Sequence, residues 1–432
     1  MRTIKRFKVN DALHFKSKLL KWSQSCTEVL WLDSNEYPRK HSSFDALLAI
    51  NAFTSIKTDH TDAFNDLKAY QEVTKDWIFG YLTYDLKNDI EKLTSENNDS
   101  INFPELYFFQ PQKLVFIRAN TVEFHYLRML DDEIENDFNE ISAFDSELEN
   151  KPDPDPVKIK LRIHKGKYYE KIHRILKHIM RGDIYEVNFC QEFYAENSDI
   201  DPLEVYLNLN KISKPPFATF LKIDKKYLLS ASPERYLRKE GNTVISQPIK
   251  GTAKRATNIE QDDQLRKALE NDPKERAENI MIVDLVRNDM SRFAEKGTVE
   301  VDGLCEIYSF EQVHQMISTV KAKVANTISP VELLRASFPM GSMTGAPKIA
   351  AMKIIEKLEV TKRGLYSGAV GYFSPEGDFD FNVIIRSILY DEISRYLSFS
   401  VGSAITAKSN AEAEYEECLI KAKAMRDVLE GN

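Results

Sequence analysis

Lys250 stands in Ser246-Gln247-Pro248-Ile249-Lys250-Gly251-Thr252, directly after the strand-like run Asn242-Thr243-Val244-Ile245. Pro248 stiffens the chain and Gly251 permits a tight bend, so the amine is presented on a short, constrained segment. A lysine in such a place is most often a solvated loop charge; deprotonated, it is a nucleophile. Carboxylates lie to either side of it in the chain. Glu234 sits in Ser230-Ala231-Ser232-Pro233-Glu234-Arg235, and Glu278 in a helical run from Lys274 to Asp289 that is too apolar to be solvated all round. Glu414, Glu417 and Lys421 recur at i, i+3 and i+7 on one face of a C-terminal helix, a spacing that commonly marks a surface Glu–Lys pair. Two carboxylates from separate helices plus a substrate carboxylate would also suit Mg²⁺, which takes few protein carboxylates and keeps water.

Two further features call for anions. Phe338-Pro339-Met340-Gly341-Ser342-Met343-Thr344-Gly345-Ala346-Pro347-Lys348 places small residues with free backbone N–H groups before a helix start, which can act as a cap or bind an anion. Arg386 interrupts the apolar run Val383-Ile384-Ile385-Arg386-Ser387-Ile388-Leu389, and a buried guanidinium requires a carboxylate or phosphate. The backbone at Gly402, Ser403 and Ala404 offers additional amide donors.

The elements that must position these groups read as mixed α+β. Strands are expected at 29–34, 77–82, 187–193, 366–373, 381–389 and 396–401, with a hairpin joining 114–117 to 122–126 around Ala119-Asn120. A second hairpin is expected to pair 227–230 with 244–245, turning at Glu240-Gly241-Asn242. Helices are expected over 168–179, closed by Gly182, from Pro273 past Asp284, over 348–358, and over 411–429. Asn150-Lys151-Pro152-Asp153-Pro154-Asp155-Pro156 reads as an extended linker, dividing an N-terminal region (1–150) from a second region (157–430). The chain has 432 residues, 42% hydrophobic and 29% charged, with a formal charge of −8, so neither a nucleic-acid footprint nor a polybasic membrane surface is expected. The four cysteines form no Cys-x-x-Cys and no run approaches a membrane span, which fits reduced thiols in a cytoplasm.

Taken together, Gly182-Asp183-Ile184-Tyr185-Glu186-Val187-Asn188, Ser232-Pro233-Glu234, Pro248-Ile249-Lys250-Gly251-Thr252, the string from Glu278 to Leu285, the string from Gly341 to Lys348, and Glu414-Tyr415-Glu416-Glu417 resemble the chorismate-utilising enzymes. The resemblance implies two large, mostly antiparallel sheets packed as a sandwich, with helices outside, a central cleft, and the N-terminal region built into the fold. It implies Glu278 and Glu417 as Mg²⁺ ligands with Glu414 close by, and Glu234 as general acid. Thr252, Ser342, Thr344, Gly345, Tyr372, Arg386, Gly402 and Lys421 would bind substrate, and His314 would lie near its ring.

Two positions sort the chain within that family. Isochorismate and salicylate synthases carry a water-activating lysine where this chain has Glu186, and anthranilate synthases carry a small residue where it has Lys250. Lys250 therefore resembles the members that make 4-amino-4-deoxychorismate, the precursor of 4-aminobenzoate and folate. There the lysine attacks the ring at C2 and ammonia displaces it at C4, splitting one hard substitution into two. At a pKa of ~10.4 a lysine is only about 0.1% deprotonated near pH 7.5, so the site is expected to depress it, while Glu234 keeps its proton. No cysteine lies in a Gly-x-Cys-x-Gly setting, so ammonia is expected from a separate glutamine amidotransferase. The alternatives are an anthranilate synthase component I and an inactive tryptophan-binding partner of an amidotransferase. Ser403-Ala404 and Cys418 depart from the family pattern. Leu32-Asp33-Ser34 and Lys214-Pro215-Pro216-Phe217 match parts of a tryptophan pocket in anthranilate synthases, and here are expected to pack as core.

Overall fold

Period-two alternation in the long strands assigns each side chain to one of three apolar layers. In Glu28–Asp33, Leu30 and Leu32 face one layer while Val29 and Trp31 face another. The computed structural model describes residues 1–37, 43–144, 156–311 and 313–431. The expected linker falls at 150–156 and lies, apart from Pro156, outside them.

Among the described residues every ladder between strands is antiparallel, and twenty strands form one continuous pairing network. It consists of two sheets joined along a corner. One runs from Arg2–Lys8 through Thr121–Leu127, Leu106–Arg118, Ala46–Thr58, Glu28–Asp33, Phe217–Ile223, Lys226–Ser232, Ser387–Asp391 and Tyr396–Thr406 to Glu186–Ala195. The other leaves Leu106–Arg118 through Ile78–Leu82, Ala369–Phe373, Phe379–Val383, Arg235–Glu240 and Thr243–Gln247 to Val313–Lys323. That last strand also pairs with Ile249–Lys254 and Glu300–Ser309. Ala46–Thr58 and Leu106–Arg118 belong to both sheets, and a register shift between Ala52 and Thr54 marks the bend.

Leu30, Leu47, Phe79, Tyr107, Leu221, Val370 and Tyr372 fill the space between the sheets. Helices Lys165–Arg181, Pro202–Ser213, Lys348–Leu358 and Ala411–Glu430 cover the outside of the first sheet. Ala63–Thr74, Pro273–Ser291 and Pro330–Ser337 cover the second. The result is an α+β sandwich with helices outside. Glu28–Asp33 pairs with Phe217–Ile223 and Ile78–Leu82 with Ala369–Phe373, so strands from the first 150 residues sit inside sheets made by later ones.

Two expected elements differ. The hairpin turning at Gly241 is made by Arg235–Glu240 with Thr243–Gln247, whereas Lys226–Ser232 pairs with Phe217–Ile223. The run 381–389 is two strands, Phe379–Val383 and Ser387–Asp391, broken where Arg386 takes φ 53°. Apolar composition marks both runs as buried but carries no information on which partner each strand takes.

Candidate active site

Five elements converge on a cleft at the ends of both sheets. Strand Ile249–Lys254 contributes Lys250 and Thr252. Its ladder with Val313–Lys323 slips by one residue between Ile249 and Thr252, and Gly251 has φ 95°, so Lys250 and Gly251 form a bulge that re-aims the lysine. Helix Pro273–Ser291 starts at Asp272, which accepts from the N–H groups of Lys274 and Glu275, and it presents Glu275 and Glu278 to the cleft. Helix Ala411–Glu430, capped by Asn410, presents Glu414, Glu417 and Lys421. Strand Tyr396–Thr406 brings Gly402 and Ala404, and strand Glu186–Ala195 brings Asn188.

Glu234 is 6% exposed, and Ser342 Oγ donates to its Oε1 at 2.6 Å. Burial pushes this carboxyl up to about 7, against the opposing pull of Ser342 and Lys250. It therefore holds a proton at neutral pH in a good fraction of molecules, as a general acid requires.

The Lys250 Nζ lies 3.7 Å from Glu186 Oε1. Burial pulls this amine down, but Glu186, Glu278, Glu417 and Glu234 together outweigh it and the net direction is up. The expected depression is thus not supplied by the protein's own groups. A divalent cation held by Glu278 and Glu417 would neutralise two of those four carboxylates.

Among the described residues no three His, Cys, Asp or Glu side chains gather as a ready-made metal cage. Glu417 pairs with Lys421 at 2.5 Å, and Glu278 faces Lys274 at 3.8 Å. The Glu–Lys pair expected on the last helix therefore forms, but on the cleft wall. Burial pushes Glu278 up against the pull of Lys250 and Lys274, with Glu275 and Glu186 adding a smaller push, while Lys421 leads the lysines that hold Glu417 down against burial. Carboxylates on two facing helices with room for water fit Mg²⁺ as an ion that takes one or two protein ligands. Glu414, 3% exposed, lies beside them on the same wall.

Arg386 lines the cleft, and its Nη1 donates to the carbonyl of Lys421 at 3.1 Å. Burial pulls the guanidinium down, so an anion arriving there would relieve a real desolvation cost. Lys421 Nζ donates to Gly402 O at 2.9 Å, which ties the last helix to the cleft strand.

The structure separates several residues expected together. His314 is 1% exposed and points to the opposite side of its strand from the cleft residues Val313 and Gln315. Its Nδ1 is 2.8 Å from Ser309 Oγ and its Nε2 is 3.1 Å from Asp262 Oδ1. It is a satisfied structural histidine. Tyr372 lies in the layer between the sheets, against Trp77, Phe79 and Phe44, and away from the cleft. The tyrosine on the cleft wall is Tyr366, which sequence reasoning missed: the strand expected over 366–373 begins only at Ala369, so Tyr366 lies outside the alternation that carries Tyr372. Ser342 and Met343 face the cleft, whereas Thr344 is fully buried and its hydroxyl donates to Gly341 O at 3.1 Å. Gly345 pairs with Val187 behind that wall. The helix start at Pro347 is tied inward: Lys348 Nζ reaches Asp289 at 2.6 Å.

Cys418 and Ser403 both lie near the Tyr168 hydroxyl, at 3.6 and 3.4 Å, and pack behind the cleft, whereas Ala404, the other departure, lines it. Leu32 packs between the sheets as expected, and with Asp33, Ser34, Pro216, Phe217 and Tyr372 it also lines a separate small cavity. No helix among the described residues is long and apolar enough to cross a membrane.

The family model described as chorismate binding enzyme matches residues 27–427. A chloroplastic aminodeoxychorismate synthase from Arabidopsis thaliana is 34% identical over 447 residues, covering 97% of this chain and 46% of that protein. Aminodeoxychorismate synthase component 1 of Escherichia coli K12 is 39% identical over 263 residues, covering 61% of this chain and 57% of that protein. The chain thus spans about half the length of these curated relatives. The crystal structure of anthranilate synthase component I from Streptococcus pneumoniae superposes with a TM-score of 0.79 at 26% identity, covering 90% of this chain and 94% of that one. With the family model spanning nearly the whole chain and the fold shared end to end, the protein belongs to the chorismate binding enzyme family.

Proposed function

We propose that the protein aminates chorismate to 4-amino-4-deoxychorismate, a transaminase-type reaction, and that it takes ammonia from a separate glutamine amidotransferase. The observation that carries this reading is Lys250 in the same cleft as a Glu234 carboxyl buried up to about 7, close enough for each to act on the other's charge. Lys250, on giving up one ammonium proton, forms the bond to C2 as Glu234 gives its own proton to the departing 4-hydroxyl, which leaves as water; the proton released by the lysine then restores that of Glu234. Ammonia then bonds at C4 and the lysine leaves. Arg386 and Lys421, both on the cleft wall, would receive the substrate carboxylates. Glu278 and Glu417, with Glu414 beside them, would hold Mg²⁺, which when bound supplies positive charge to a substrate carboxylate and offsets the acidic wall. The four cysteines are free thiols, consistent with a reducing cytoplasm.

The test uses the purified chain with chorismate and Mg²⁺. Without ammonia, intact mass should show an adduct mapping to Lys250, absent from Lys250→Ala. With ammonium the product should be aminodeoxychorismate, and glutamine should support it only with an added amidotransferase. Anthranilate as the ammonium-dependent product, or an adduct that persists in Lys250→Ala, overturns the reading.

A further inference from the structure

Four carboxylates act on the charge of the Lys250 amine, and three of them have work in the reaction above: Glu234 as acid, Glu278 and Glu417 toward the cation. Glu186 has none. Its backbone is fixed on both sides, paired with Thr406 in one neighbouring strand and Ala346 in the other. The approach of Ala346's strand depends on Gly345, where a Cβ would stand 2.3 Å from Glu186 O. The side chain is therefore held where it is by the sheet. It points to the same face as Asn188, two residues along, which lines the cleft. Glu186 is 2% exposed; its Oε1 faces Lys250 Nζ at 3.7 Å, and its Oε2 is buried with no hydrogen-bond partner. A carboxylate oxygen shut away from water without a donor is costly, and a fold that keeps one calls for an explanation. The lysine faces Oε1 and leaves Oε2 without a donor, an acceptor open to a small donor that comes and goes.

We propose that Glu186 Oε2 is the binding site for the second substrate, ammonium, beside the lysine that ammonia displaces. This rests on the reading above. The proton balance closes with the groups on the page. Ammonium gives one proton to the Glu186 carboxylate and becomes ammonia. Ammonia forms the C4–N bond as the C2–N bond to the protonated Lys250 adduct breaks, leaving an ammonium group on the product and a neutral Lys250 amine. Glu186 then returns its proton to that amine across the 3.7 Å gap, restoring the starting ion pair. Glu186 acts on the incoming nucleophile, while the bond-making to the ring in the first step does not involve its free oxygen.

The test separates the two steps. Wild type, Glu186→Gln and Glu186→Asp are compared with Mg²⁺ and saturating chorismate, first without ammonia by intact mass, then with ammonium chloride titrated at constant ionic strength. Glu186→Gln is isosteric but loses the charge that binds a cation. It should still form the Lys250 adduct, no more slowly than wild type because one of the carboxylates that hold the amine protonated is gone, yet need about 10- to 100-fold more ammonium for half-maximal turnover, with the adduct accumulating meanwhile. Glu186→Asp should recover part of that loss. An unchanged ammonium requirement in Glu186→Gln overturns the proposal. So does loss of adduct formation in step with turnover, which would mark Glu186 as a support for Lys250 alone. Absence of any adduct in wild type would instead strike the lysine reading itself.

Discussion

Replacing Ser342 by alanine perturbs one interaction of known geometry. Ser342 Oγ donates to Glu234 Oε1 at 2.6 Å and favours the carboxylate, holding down a carboxyl that burial drives up to about 7. A hydrogen bond to an ionised group contributes about 1.5–3 kcal/mol. One pKa unit corresponds to about 1.4 kcal/mol, so losing the bond should raise Glu234 by about one to two units, to about 8 or 9. Only Lys250 would then remain to oppose burial. The carboxyl can be followed directly by infrared difference titration, using Glu234→Gln to identify the protonated C=O band. In wild type the band should vanish with a midpoint near 7, and in Ser342→Ala near 8 or 9. The same break should move in the pH profile of Lys250 adduct formation, measured without ammonia so that ammonium ionisation does not intrude. A midpoint that stays put, or moves down, would refute the idea that Ser342 sets the acid.

Other outcomes follow from the same geometry. Glu234 binds its proton more tightly folded than unfolded, so between pH 4.5 and about 7 the folded state loses stability as pH rises, by about 3 kcal/mol in total. Glu234→Gln should remove that slope and give an inactive chain more stable than wild type above pH 7. Identical urea midpoints in the two proteins across that range would contradict it. Glu278→Gln and Glu417→Gln should each shift the Mg²⁺ titration of activity to higher concentration with unchanged circular dichroism; overlaid titrations would dismiss both as ligands. His314→Ala should lower Tm by breaking its contacts to Ser309 and Asp262 while the folded enzyme keeps kcat/KM within a few-fold. A large kinetic loss at wild-type Tm would return His314 to the site. Tyr366→Phe should raise the chorismate KM, whereas Tyr372→Phe should leave it alone, and the reverse pattern would contradict the placement of the two rings.

The sequence by itself determined the groups that chemistry needs and the local elements carrying them. The helix over 411–429 was legible in the sequence, and so was the start of the helix at Pro273; the structure adds the side-chain caps Asn410 and Asp272. Spacing within one helix also placed Glu417 and Lys421 together, since i,i+4 neighbours meet wherever the helix goes. Tertiary structure decided everything that depends on which side of a strand faces the cleft. His314 and Gln315 are adjacent in sequence and lie on opposite faces, and only the pairing of Val313–Lys323 with Ile249–Lys254 fixes which face is catalytic. Tyr366 and Tyr372 likewise part company because one precedes the strand and the other points between the sheets. Arg386 reaches the cleft through a break at positive φ that no apolar pattern announces. The meeting of Glu186 with Lys250 joins the ends of two different sheets, and a contact of that kind is set by the packing of the whole sandwich rather than by any local periodicity.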